Sequence, residues 1–314
     1  MFPPMTRGDD NGTVFYEWSP GNRGRLDRFL DWTRRRTSAG HTVVAAFDFD
    51  QTLIVNDLGD AVFYYMIEHQ DFRFEDPGFL SAIDHRDYRR VVLESRNDRT
   101  GERFRDAFLS LYFSLLAEKG KEVAYPFATR IMSGWTPEEI RGMADRVIAR
   151  EEAAPLGSEH IVLKNGGPVQ MRRGIRLIAP MADLLRRLRE AGAQVHVVTG
   201  TCQIVTERYV ARRALAVDSV IGMRTEIRKG RLTDRIAPPS TVGEGKLDAV
   251  MQRFGRAPDL AAGDSGSDLA LMRAATGEAI CVETDGSSIR EEAISRDWIV
   301  QRFEFKKGNS RQRE

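Results

Sequence analysis

The chain has 314 residues, of which 41% are hydrophobic and 30% charged, and carries a net charge of +1 at neutral pH. That length supports one large domain or two modest ones with a packed core. The near-neutral balance excludes a bulk field that would recruit nucleic acid or an anionic membrane, and clusters such as Arg34-Arg35-Arg36 and Lys306-Lys307 read as solvated faces. Cys202 and Cys281 have no metal-binding spacing and read as reduced thiols, with one disulfide between them as the alternative. No apolar run reaches the roughly 18 residues of a membrane span, and the start, MFPPMTRGDDNG, lacks the apolar centre of a signal peptide. The expectation is a cytoplasmic protein.

In chain order, residues 1–21 carry Pro, Gly and Asp without periodicity. Their first dozen are expected to be mobile, with Phe15, Tyr16 and Trp18 docking on the body. Leu26, Phe29, Leu30 and Trp32 predict a helix over about 23–36. Val43 to Phe47 reads as a buried strand that stops on two acids, Asp48 and Asp50. The stripe Leu58, Ala61, Val62, Tyr65 and Met66 predicts a helix capped by Asn56 or Asp57. Further helices are expected over about 102–119 and 137–151, the latter opened by Thr136 with Glu139 three residues on. Residues 58 to 157 thus form a helical insertion, followed by a hairpin of Ile161–Leu163 and Val169–Met171 around Asn165-Gly166-Gly167.

From Gly174 helices and strands alternate. A helix runs from Ile178 to Ala191, ended by Gly192, and a strand from Gln194 to Val198 runs into Thr199-Gly200-Thr201. A helix over 203–216, a strand over 219–222 and a hairpin turning at Lys229-Gly230 follow. Gly245-Lys246 opens a helix to Phe254. A strand from Asp259 to Ala262 ends in GDSGSD, then a helix runs to Ala275 and a strand from Ala279 to Val282. This alternation predicts an α/β fold with a doubly wound parallel sheet. The expected organisation is an N-terminal extension over 1–21, a core of 22–57 and 174–305, the mainly helical insertion 58–173 after the first strand, and a disordered tail over 306–314.

In open α/β sheets ligands bind at the carboxyl ends of the strands. Three such ends carry polar residues suited to one site: Asp48 and Asp50, Thr199, and Asp264 with Asp268; Lys246 opens a helix between the last two. Their order resembles the haloacid dehalogenase-like superfamily, whose successive motifs read here as DFDQT, VVTG, GEGK and GDSGSD. The resemblance covers about 40–56 and 174–300. Independently of it, four carboxylates at one site repel and call for a cation. An all-oxygen donor set without a His/Cys cluster favours Mg²⁺.

The resemblance implies that the Asp48 side chain, the Asp50 main-chain carbonyl and Asp264 bind the metal, with Asp268 at or beside it. It implies that Thr199, the following backbone N–H groups from Gly200, and Lys246 neutralise phosphoryl oxygens. Asp48 is then a nucleophile forming an aspartyl-phosphate, and Asp50 a general acid and base. Dehalogenases and phosphonatases of the superfamily lack an acid at the Asp50 position, so its presence points to a phosphomonoesterase or a phosphotransferase.

The insertion occupies the place of the helical cap in the phosphoserine phosphatase-like branch. Asp57, nine residues after Asp48, matches an acid that contacts the substrate amino group there; its other reading is a helix cap. The stretches FDFDQTLIVNDLGDAVFYYMI, GMRTEIRKGRLTDRI and PPSTVGEGK look like phosphorylcholine phosphatase-like members of that branch. Phe63, Tyr64, Phe72, Phe74, Tyr112, Phe113 and Trp135 either box a quaternary ammonium or form the core of a helical bundle. Arg86, Arg89 and Arg103 are candidates for a substrate carboxylate. Ser267 stands where phosphoserine phosphatases usually have Asn. The expected activity is Mg²⁺-dependent hydrolysis of a small phosphomonoester, amine-bearing as one option. The alternatives are a phosphotransferase and a phosphatase of a larger or sugar phosphate. A noncatalytic scaffold has no need of both Asp48 and Asp50, and the glycine fingerprints of dinucleotide enzymes and P-loop kinases are missing. His41, His69, His85, His160 and His196 show no metal spacing and read as structural. The oligomeric state is open.

Overall fold

Val44–Phe47 is buried along its whole length, which suits a central strand covered on both faces. In the computed structural model, which describes residues 14–15, 17–98, 100–163, 167–285 and 288–306, this strand, β1, lies inside a six-stranded sheet. The others are β2 (Gln194–Cys202), β3 (Ser219–Met223), β4 (Leu260–Gly263), β5 (Glu278–Val282) and β6 (Ile299–Gln301). Their spatial order is β3-β2-β1-β4-β5-β6, all parallel. The chain therefore winds outward in both directions from β1 and β4. The crevice between those two strand ends is the switch point at which such sheets bind ligands.

Alternation along β1 divides the core. Ala45 and Phe47 join a large cluster that continues into the insertion, while Ala46 packs with Val250, Ala261 and Cys281 on the other face. Cys202 and Cys281 are both buried. β6 and the helix Arg290–Ser295 were not expected, because elements of three and six residues are too short to show a period. Trp18 docks as expected: it is buried edge-on against Phe303 at 4.9 Å, and its indole N–H donates to Pro180 O at 3.4 Å. The expectations for residues 1–13, for the Phe15 and Tyr16 side chains and for the tail beyond 306 fall outside what is described.

The insertion is helical, with helices Leu58–His69, Pro77–Ala82, Tyr88–Ser95, Glu102–Lys119, Lys121–Arg130 and Pro137–Ala153. The sequence pattern misses Lys121–Arg130, which contains Pro126 and follows Gly120 at φ +76° without a polar cap. The hairpin Gly157–Leu163 with Gly167–Arg173 pairs Ile161 with Val169 as expected; the turn at 165–166 lies outside the described residues. The hairpin Thr225–Arg228 with Arg231–Ile236 turns at Lys229 and Gly230, both at positive φ. It belongs to the core in sequence but builds onto the insertion. Gly134 N–H donates to Leu232 O at 2.9 Å, Leu232 N–H to Trp135 O at 2.8 Å, and Arg130 Nε to Asp234 O at 3.0 Å. Among the described residues no helix is long and apolar enough to cross a membrane.

Thr136 and Glu139 form the predicted capping box beside this junction: Glu139 N–H bonds Thr136 Oγ1 at 3.2 Å and Thr136 N–H bonds Glu139 Oε2 at 2.8 Å. Thr136→Ala should lower the unfolding free energy in urea by about 1 kcal/mol, the usual value of such a cap; an unchanged midpoint would show that the cap contributes nothing here.

Candidate active site

Pairing with β4 continues one residue past β1, where Asp48 N–H donates to Ala262 O at 2.9 Å. The chain then turns sharply. Phe49 O accepts from the N–H groups of Thr52, Leu53 and Ile54, and Gln51 adopts φ +58°. In a continuing strand Asp48 and Asp50 would face the same way; here each has its own surroundings. Asp48 is buried, with Lys246 Nζ at 2.5 Å from Oδ1 and Thr52 Oγ1 donating to Oδ2 at 3.4 Å. Asp50 points toward the insertion. Its Oδ1 accepts from Leu58 N–H, the start of the first inserted helix, at 2.7 Å, and its Oδ2 accepts from Thr201 Oγ1 at 2.7 Å and Thr199 Oγ1 at 3.4 Å.

Lys246 sits in the first turn of the helix Glu244–Phe254 and is buried. Gly245 sets that turn down on the preceding loop: a Cβ there would lie 1.7 Å from Ser240 O. The ammonium bridges Asp48 and Asp268, 2.5 Å from each. Asp268 Oδ2 in turn accepts from the N–H groups of Asp264 and Ser265 at 3.2 and 3.0 Å, and from Ser265 Oγ at 3.2 Å. Gly263 permits this return, since a Cβ on it would meet Asp268 Cβ at 2.4 Å. Thr199 is fixed from behind, its carbonyl accepting from Thr241 Oγ1 at 2.7 Å and its hydroxyl from Thr201 N–H at 3.1 Å.

Carboxylate oxygens of Asp48, Asp264 and Asp268 all lie within 4.8 Å of one another. Burial, then the charge of Asp268, pushes Asp48 up to about 7 against the pull of Lys246. Burial with Asp268 and Asp48 also pushes Asp264 well above the carboxylate range. Burial disfavours the Lys246 ammonium, but Asp268 and Asp48 outweigh it and hold the lysine charged. Hard oxygen donors that repel one another fit a hard divalent cation. Both oxygens of Asp268 already hold Lys246 and the Asp264 loop.

Asp48, Asp50, Thr199, Lys246 and Asp264 line a cavity of ≈ 370 Å³ between the strand ends and the insertion, with Gly200 and Ser267 also in its lining, while Asp268 is fully buried. Asp57 is the helix cap, one of its two readings, and it also faces the cavity. Its Oδ1 caps the helix by accepting from Asp60 N–H at 2.7 Å, and its carboxyl lines the cavity, where burial raises its pKa. Asp60 joins it and was not expected; burial and the charge of Asp57 push it well above the usual range. Its place three residues on, one helical turn from Asp57, was the available signal.

Of the two readings of the aromatic residues, the bundle core is the one the structure gives for most of them. Of its seven residues only Tyr112 lines the cavity, joined there by Tyr125. Phe63 and Phe72 are buried in the bundle, Phe72 stacked on Phe108 at 4.7 Å, and Trp135 lies under Arg73 at 3.9 Å. Helical spacing buries one aromatic stripe against another, and that packing consumes most of the rings. The arginine candidates are corrected: Arg86 pairs with Glu118 at 2.7 Å, Arg89 lies 4.0 Å from Asp84, and Arg103 lines a separate cleft. The cations that reach the cavity from the insertion are Lys121 and Arg172, the latter donating to Gln51 Oε1. His196 is structural, its Nδ1 2.8 Å from Ser219 Oγ.

The chain matches the haloacid dehalogenase-like hydrolase family over residues 45–273. It is 29% identical over 177 residues to the phosphoserine phosphatase of Archaeoglobus fulgidus, covering 51% of this chain and 51% of that protein. It is 22% identical over 249 residues to the phosphorylcholine phosphatase of Pseudomonas aeruginosa, covering 77% of this chain and 64% of that one. The chain thus spans 51% and 64% of the lengths of these curated relatives. A conserved protein of unknown function from Anaerococcus prevotii shares the fold with a TM-score of 0.74 at 16% identity, over 90% of this chain and 92% of that one.

With no cation bound, the folded state keeps the Asp48 proton up to about pH 7, whereas the unfolded chain loses it near 3.8. Between those values the folded protein binds more protons, so its stability falls as pH rises. In the presence of a chelator the melting temperature should therefore drop between about pH 5 and pH 8, and added Mg²⁺ should raise it clearly at the higher pH and little at the lower. An Mg²⁺ effect that is absent, or equal at both pH values, would contradict cation binding by these acids.

Proposed function

The chain belongs to the haloacid dehalogenase-like hydrolase family, and on that footing we propose that it hydrolyses a small phosphomonoester through an aspartyl-phosphate on Asp48, with Mg²⁺ beside Asp48 and Asp264. The observation that carries this reading is the divergence of Asp48 and Asp50: one acid is held against Lys246 in the buried cluster, the other turned toward the cavity and the insertion.

In this reading the phosphoryl group lies between Asp48, the Thr199 hydroxyl with the Gly200 backbone, and the Lys246 ammonium, which offset its charge. Bound Mg²⁺ would add positive charge for the phosphoryl oxygens and relieve the repulsion among the acids. An Asp48 carboxylate oxygen attacks phosphorus, the bond from phosphorus to the alcohol oxygen breaks, and Asp50 gives its proton to the leaving oxygen. Burial, then Asp57 and Asp48, push Asp50 well above the usual carboxyl range, which favours a proton there at neutral pH. In the second half Asp50 takes a proton from water as the water oxygen attacks phosphorus. The bond to Asp48 breaks, and inorganic phosphate leaves. The insertion excludes bulk water from both halves.

The acids Asp57 and Asp60, with the Tyr112 and Tyr125 rings beside them in the cavity, support a substrate that carries an ammonium group. The names of the two relatives, a phosphoserine phosphatase and a phosphorylcholine phosphatase, agree with this. Phosphate release should be measured on phosphocholine, phosphoethanolamine, phosphoserine and glycerol phosphate, with Asp48→Asn as the blank, expected to lose at least about 1,000-fold in kcat. Asn caps helices as well as Asp does, so Asp57→Asn removes charge without removing the cap. It should raise KM for the ammonium-bearing substrates by about ten-fold or more, the effect of one charged hydrogen bond, and leave glycerol phosphate unchanged. Equal losses on all four would discard the ammonium reading.

A further inference from the structure

The helix Lys121–Arg130, invisible in the sequence pattern, forms one wall of the active-site cavity. Lys121, Tyr125, Ala128, Thr129 and Met132 line that cavity at helical spacing, so one face of the helix and of the turn after it looks inward. Ala124 and Phe127 are buried on another face, in the bundle. The helix also packs against β2, the strand that carries Thr199 and Gly200. A Cβ built on Gly200 would lie 4.0 Å from Tyr125 Cδ2, so the Tyr125 ring stands directly beside the backbone that follows Thr199.

Three tyrosines of the insertion gather around Asp57 and Asp60, and both acids act on Tyr64, Tyr112 and Tyr125. Tyr112 answers to these acids and to its neighbouring tyrosines, whereas Tyr125 is also reached by Asp264 and Lys246 from the strand-end cluster. Its hydroxyl therefore stands between the two halves of the cavity. It makes no hydrogen bond among the described residues, while the ring lies under the Lys121 ammonium, whose Nζ is 5.8 Å from the ring centroid. Burial, then Asp57, Asp60 and Asp264, push the hydroxyl pKa up to about 12 against the pull of Lys246, so the proton stays on at neutral pH. Tyr125 is thus a donor without an acceptor, turned toward the place where a phosphoryl group would lie.

We propose that Tyr125 is the residue the insertion contributes to the reacting group: its hydroxyl donates a hydrogen bond to a nonbridging phosphoryl oxygen of the substrate, beside Thr199 and the Gly200 backbone. The assignment rests on the phosphatase reading above. Ionised phosphoryl oxygens only accept, and ionised Asp57 and Asp60 offer them no proton, whereas a neutral hydroxyl does. The bond forms only while this helix is seated over the strand ends. The insertion then completes the set of groups that offset phosphoryl charge, in addition to excluding water, and does so whatever alcohol the phosphate is attached to.

Tyr125→Phe removes the hydroxyl and keeps the ring, and since that hydroxyl has no protein partner the variant should fold as the wild type does. Its kcat/KM should fall by about ten-fold or more, the effect of one hydrogen bond to a charged group. The factor should be the same on phosphocholine, phosphoethanolamine, phosphoserine and glycerol phosphate, and the inhibition constant for inorganic phosphate should rise with it. Tyr65→Phe, whose ring stacks on His69 at 4.0 Å outside the cavity, should match the wild type on all four. A Tyr125→Phe enzyme equal to the wild type would overturn the assignment, as would a fall in kcat/KM with phosphate inhibition unchanged. So would a loss confined to the ammonium-bearing substrates, which would place the hydroxyl on the ammonium instead. Asp48→Asn, run alongside, separates the two levels. Ordinary turnover by that variant would remove the phosphatase reading itself, whereas an inert Asp48→Asn with an unimpaired Tyr125→Phe removes the tyrosine alone.

Discussion

The site depends on one ammonium, that of Lys246, held between two buried carboxylates at 2.5 Å from each. Removing one partner from such a buried pair costs about 3–5 kcal/mol, because the remaining charge loses both its water and its counter-ion. Here loss of the lysine would leave Asp48 and Asp268 buried and repelling. The fold is arranged so that this does not happen. β1 brings Asp48, the loop after β4 brings Asp268, and the close contacts at Gly245 and Gly263 let the two backbones approach the lysine. The switch point of the sheet is thus where strand ends meet and where charge has to be balanced.

That balance explains how two acids of one short motif come to differ. Asp48 is tied to the lysine on the side of β4, in a cluster whose acids are pushed upward by burial and by one another. Asp50 is tied to the insertion through Leu58 N–H and to the β2 end through Thr201. The same bond that aims Asp50 starts the first inserted helix. The position of that helix, which also carries Asp57 and Asp60 into the cavity, is therefore coupled to the acid facing the cavity.

The strand-end half of the candidate site was legible in the sequence because its residues lie just after buried strands or open a helix. Asp48, Asp50, Thr199, Lys246, Asp264 and Asp268 all converge where the strand pattern put them. Of the cavity-lining side chains on the insertion, the sequence named Asp57 and Tyr112 as candidates. Arg172 lies on a hairpin whose exposed and buried residues alternate whether or not it nears a ligand, and Lys121 lies on a helix broken by Pro126. The sequence could not choose between the two readings of the aromatic residues, because a helical stripe of rings has the same spacing whether it lines a cavity or packs a bundle, and Phe63 and Phe72 pack. The attachment of the Thr225–Ile236 hairpin to the insertion had no sequence signal, since it rests on backbone hydrogen bonds at Leu232, which any residue but Pro can make.

The central claim is covalent chemistry at Asp48. During turnover of a phosphomonoester, a rapid quench with borohydride would reduce an acyl phosphate to the corresponding alcohol, and mass mapping of the peptide from Val44 to Thr52 would locate it. The account predicts substrate-dependent reduction confined to Asp48. Reduction at Asp50 or elsewhere, or steady phosphate release with no reducible adduct at all, would contradict it.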